Sequence, residues 1–91
     1  CEGTVGDISG CARPNRPVVE LTGFDPTTTP IRFDAATLLE GVDVSQNTAG
    51  TAPGCMGAPD DPECGPIFEA FGLSLDDGSG DASAQVAFTA P

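Results

Sequence analysis

Apolar and polar positions alternate with period two along three stretches of the chain and switch to helical spacing in two others. Val18-Val19-Glu20-Leu21-Thr22-Gly23-Phe24 is β-branched, bounded by Pro17 and by Asp25-Pro26, and predicts a strand with Val19 and Leu21 on one face. Pro30-Ile31-Arg32-Phe33 predicts a shorter strand, with Ile31 and Phe33 opposite Arg32, and Gln85-Val86-Ala87-Phe88-Thr89 a last one, with Val86 and Phe88 together. After Phe33 the period changes. Asp34 is placed as an N-cap that opens a helix over Ala35-Ala36-Thr37-Leu38-Leu39-Glu40, with Gly41 as its stop. Pro66 suits the first turn of a second helix, Ile67 to Phe71, where its missing N–H costs nothing, and Gly72 is the expected end. Val19, Leu21, Ile31, Phe33, Val86 and Phe88 are the predicted core.

Between these elements the chain is polar, small and turn-rich. Ser45 to Gly54 reads as irregular, and it leads into Gly54-Cys55-Met56-Gly57-Ala58-Pro59-Asp60-Asp61-Pro62-Glu63-Cys64-Gly65-Pro66, too rich in Pro and Gly for regular structure. Cys55 and Cys64 close that loop, and Cys1 and Cys11 bracket a second short one. Neither spacing matches the close cysteine pairs of structural zinc or of a thioredoxin-like redox site, so the predicted pairs are the disulfides Cys1–Cys11 and Cys55–Cys64. Disulfides imply an oxidising location: periplasm, cell surface or exterior. Lipidation of Cys1 would strand one thiol of four, and so loses to pairing.

Composition narrows the picture further. A 91-residue chain makes one small domain at most, and although 38% of it is hydrophobic, its aromatic residues are five Phe and nothing else. Three alternating segments and two one-turn helices leave strand edges open and cannot close a sandwich by themselves. The expected fold is therefore mainly β: a disulfide-stapled, loop-rich, β-sandwich-like domain with two short helices. It spans residues 1–91 as a single domain, or as the C-terminal portion of a larger β-rich domain whose upstream segment, or another chain, completes the sheet. A chain that starts at Cys rather than Met fits a mature or partial product of an exported precursor.

Fourteen acidic residues against three Arg, with no Lys and no His, give a net charge of −11. That balance disfavours nucleic acid and anionic membranes as partners, and no apolar run reaches spanning length. Without His, Lys or Tyr the usual general bases are missing, so no enzymatic activity is expected and no catalytic residue is assigned. Cys55, Met56 and Cys64 would suit Cu(I) as thiolates and thioether, but the disulfide removes the thiolates and no metal ligand is assigned. Asp76, Asp77, Ser79 and Asp81 offer oxygen ligands of the kind that Ca²⁺ accepts, as do Asp60, Asp61 and Glu63, but a plain solvated turn is the preferred reading of both. Arg13 and Arg16 are expected to pair with the chain's own carboxylates.

The run Asn15-Arg16-Pro17-Val18-Val19-Glu20-Leu21-Thr22-Gly23-Phe24-Asp25-Pro26, then Ile31-Arg32-Phe33-Asp34, Leu38-Leu39, Gly41-Val42-Asp43-Val44, Pro53-Gly54-Cys55-Met56, Asp60-Asp61-Pro62-Glu63-Cys64, Pro66-Ile67-Phe68 and Phe71-Gly72-Leu73 carries a family resemblance. In that order and spacing these motifs resemble the C-terminal part of the four-cysteine, methanobactin-associated copper-binding protein family. Its members are encoded beside a di-haem peroxidase resembling MauG. The resemblance implies an exported, β-rich protein that binds copper and whose Trp the haem partner oxidises to kynurenine. This chain has no Trp and no His, so only the four cysteines transfer, as disulfides, and copper ligands are expected outside it. The expected function is an exported, non-catalytic protein of that family, partner or substrate of the di-haem peroxidase. The alternative is a structural or adhesive extracellular module, polymerising or calcium-stabilised.

Overall fold

A computed structural model of the chain describes residues 13–91. The elements run β1 (Arg32–Phe33), α1 (Ala35–Leu39), α2 (Gly65–Ala70) and β2 (Phe88–Thr89). The two strands pair antiparallel, with Arg32 opposite Thr89 and Phe33 opposite Phe88, and an isolated bridge joins Leu73 to Gly80.

Both helices form where their punctuation places them. The Asp34 carboxylate accepts the N–H of Ala36 and of Thr37, each at 3.0 Å, and so caps α1. Its backbone N–H donates to Ala87 O at 2.9 Å, tying the cap to the chain entering β2. Gly41, just beyond α1, lies against α2: a Cβ there would come within 2.9 Å of the Pro66 side chain, so close approach of the helices requires glycine. At the end of α2 the Gly72 N–H donates to Glu69 O and the Leu73 N–H to Phe68 O, the paired bonds of a Schellman stop, with Gly72 at φ +65°.

The strands are shorter than the alternation predicts, and each shortening has a cause. The expected strand over 18–24 has no ladder partner among the described residues: Pro14 and Pro17 have no N–H to donate, Asn15 sits at φ +47°, and the segment instead lies over the 74–80 turn through Asn15 N–H to Gly78 O. Val86 and Ala87, expected in the final strand, give their N–H groups to Ala70 O at the end of α2, and Gln85 folds back to bond both the N–H and the carbonyl of Phe88. Pro30 cannot donate, and β1 is confined to two residues.

The core also differs from the predicted set. Cys64, Phe68, Ala70 and Ala87 are the buried apolar residues, one face of α2 closed by the disulfide and the approach to β2. Val19, Ile31, Phe33 and Val86 are exposed, while Leu21 and Phe88 are half-buried. Alternation marks which side chains share a face, but a face needs a partner layer to become a core, and among the described residues that layer is missing for the strands. Phe33, Phe71 and Phe88 instead form an aromatic cluster, with ring centroids 5.2 to 6.4 Å apart. No helix among the described residues is long and apolar enough to cross a membrane.

Candidate functional site

The loop from Gly54 to Cys64 is held by a disulfide and by side-chain and backbone hydrogen bonds. Cys55 and Cys64 are joined, with Cα atoms 4.6 Å apart. The predicted Cys1–Cys11 pair lies outside the described residues. Asp61, buried despite its charge, occupies the middle of the loop. One of its carboxylate oxygens accepts the Met56 N–H at 2.8 Å and the other the Glu63 N–H at 3.0 Å. Backbone bonds from Asp61 N–H to Ala58 O and from Cys64 N–H to Asp61 O close the turn on either side. The Gly57 N–H points at Cys64 Sγ, 3.2 Å away. A buried carboxylate is tolerated here because the backbone donors around it replace water.

Arg13 clamps this loop from outside. Its guanidinium donates to Gly57 O at 2.9 Å and to Leu75 O, and its charge lies 5.9 Å from the centre of the Phe68 ring. Nε has no hydrogen-bond partner among the described residues. Among the described residues Arg13 thus satisfies carbonyls, where pairing with carboxylates was the expectation. The role is invisible in sequence, because the carbonyls it bridges belong to segments 44 and 62 residues away.

Glu63 reaches the other way, accepting the Thr48 N–H at 2.6 Å through one oxygen while the second is buried without a partner among the described residues. A cleft of about 620 Å³ opens beside it, floored by Leu39, Val42, Pro53, Cys55, Pro66 and Ile67. The other acidic residues among those described do not converge. Asp77 accepts from the Ser79 N–H and hydroxyl, and Asp81 from those of Ser83, so each satisfies its own turn. These bonds hold Asp77 at about 2, below the ordinary carboxylate range, and lower Asp81 too. Asp60 is exposed. Among the described residues, Cys55, Asp61 and Cys64 form the one group of three candidate ligand atoms, all within 4.8 Å of one another.

No protein-family model matches the chain, and no curated protein does. Among solved structures it is similar to MbnP from Methylosinus trichosporium, 37% identical with a TM-score of 0.62, over 74% of this chain and 26% of that one. The chain thus spans about a quarter of the MbnP structure. At that identity the likeness is more than one of fold, and it supports an MbnP-like family for the matching region.

Proposed function

We propose that this chain is the C-terminal part of an exported, non-catalytic, copper-related accessory protein of the methanobactin-associated MbnP type, and that it meets a MauG-like di-haem peroxidase as partner or substrate. The observation that carries the reading is the likeness to MbnP at 37% identity, together with ordered motifs that resemble the same family. Absence of His, Lys and Tyr from the whole sequence supports a non-catalytic role.

The described residues do not fit resident copper while the disulfide is closed. Cys55 and Cys64 then have no thiolate to offer, the Asp61 carboxylate alone is a hard donor, and Met56 stands alone on the surface. On this reading copper is held by upstream sequence, and these residues supply a stapled platform beside it.

The test is copper stoichiometry on two polypeptides, the 91-residue chain and the native protein with whatever precedes Cys1. Tight copper on the native protein alone, with capture of the peroxidase, is the expected result. Tight copper on the oxidised 91-residue chain overturns the assignment of ligands, and no copper on either overturns the function. Among the described residues no third strand flanks the β1–β2 pair, which favours one competing reading, a module that polymerises through strand addition; concentration-dependent filaments of the native protein would establish it instead.

A further inference from the structure

We propose that the loop closed by Cys55 and Cys64 is a reductively opened site for a thiophilic cation, Zn²⁺ or Cu⁺, held by the two sulfurs and the Asp61 carboxylate. Three ligand atoms already lie within 4.8 Å of one another. Asp61 is aimed by bonds that do not involve the disulfide, from the N–H groups of Met56 and Glu63, and each carboxylate oxygen keeps a lone pair beyond the one so used. The turn bonds Asp61 N–H to Ala58 O and Cys64 N–H to Asp61 O, and the Arg13 clamp on Gly57 O, likewise persist when the sulfurs part. In a tetrahedral zinc dithiolate the sulfurs stand about 3.8 Å apart, so opening the bond moves them by less than about 2 Å. Two thiolates and one carboxylate form a soft, anionic set, with a fourth position to be filled from the side of Cys55, the half-buried member of an otherwise buried group.

Reduction requires a dithiol. One of its thiolates bonds to Cys55 Sγ, because Cys55 is half-buried whereas Cys64 is fully buried. The Cys55–Cys64 bond breaks and its electron pair goes to Cys64 Sγ, where the Gly57 N–H already points. The second thiol of the reductant then displaces Cys55, leaving a cyclic disulfide on the reductant and two thiols on the protein, a transfer of two electrons and two protons. Metal binding releases the two thiol protons. The proposal does not depend on the family reading.

The experiment titrates the full chain with Zn²⁺, with Co²⁺ as spectroscopic stand-in, and with Cu⁺ against a competing chromogenic ligand, before and after treatment with a phosphine reductant. One equivalent bound only after reduction, with sulfur-to-cobalt charge-transfer absorption, is expected. It should vanish in the Cys55→Ser/Cys64→Ser variant and survive in Cys1→Ser/Cys11→Ser. Asp61→Asn should weaken binding about tenfold or more. Cadmium NMR of the unsubstituted chain reads the donor set directly, so the proposal stays testable if a variant does not fold. Two sulfurs with oxygen support it. A four-sulfur environment, equal affinity in Asp61→Asn, or no binding after reduction overturns it.

Discussion

The Arg13 guanidinium lies 5.9 Å over the ring of Phe68, the one aromatic side chain of the buried core, and from there it reaches carbonyls on both sides. Gly57 belongs to the stapled loop and Leu75 to the turn after α2, so a single cation links two irregular segments across the helix between them. Neither a point charge nor a neutral side chain reproduces that geometry, because the planar fork satisfies two acceptors while its face covers the ring.

Arg13→Ala is therefore expected to destabilise the chain by about 2–3 kcal/mol, from two charge-assisted bonds and a cation–π contact. Arg13→Lys should recover less than half, since one ammonium cannot bridge both carbonyls. Urea unfolding at constant m-value reads both. An Arg13→Ala loss within about 0.5 kcal/mol of zero would sink the clamp.

Opening the Cys55–Cys64 bond should cost about 2–4 kcal/mol, because a closed loop of this length restricts the unfolded chain. The loss should appear in global unfolding. Amide exchange at Met56 and Glu63, whose N–H groups Asp61 holds, should stay slow in the reduced chain. Fast exchange at both after reduction would mean that the sulfurs shape the loop and the carboxylate merely follows.

Below neutral pH the aspartate turns become the weak point. The Ser79 hydroxyl and N–H hold Asp77 at about 2 against an ordinary 3.8, and Thr27, Thr37, Ser45 and Ser83 lower Asp25, Asp34, Asp43 and Asp81 in the same way. A carboxyl with a folded value below its unfolded one stabilises fully above the unfolded value and loses that contribution as pH falls through the folded one. Stability tied to these turns should hold from neutrality to about pH 4 and decline towards pH 2, opposed by relief of repulsion among the acidic groups. Asp77→Asn should flatten the fall of melting temperature below pH 4; an unchanged slope would show that this turn contributes nothing to it.

What could be read in advance was punctuation. Asp34, Pro66 and Gly72 place both helices to within two residues, because caps and stops act through their own backbone neighbours. The Cys55–Cys64 staple was legible for the same reason, being local. The strands were overextended because alternation at Val18–Phe24 reports a face and not a partner. Asp61 was noticed only as one acidic residue among three, since its burial depends on how the loop folds around it. Arg13 was beyond reach, its partners being fixed by tertiary approach alone.

Exposed apolar positions at the β1–β2 pair test whether this chain is part of a larger domain. Ile31 is 56% exposed, Phe33 48% and Val86 52%, beside an aromatic cluster that is itself only partly covered. If an upstream segment completes the sheet, these side chains are surface in the 91-residue chain and core in the native protein. Ile31→Thr and Val86→Thr keep the β-branched shape while adding a hydroxyl, so each should cost less than about 0.5 kcal/mol in the short chain and about 2 kcal/mol or more in the long one. The short chain should also bind a hydrophobic dye and associate with rising concentration, and the double variant should do neither. Equal costs in both polypeptides, or a short chain that stays monomeric and dye-silent, would show that nothing packs on this face, and the reading of these residues as the end of a larger β-rich domain would fall with it.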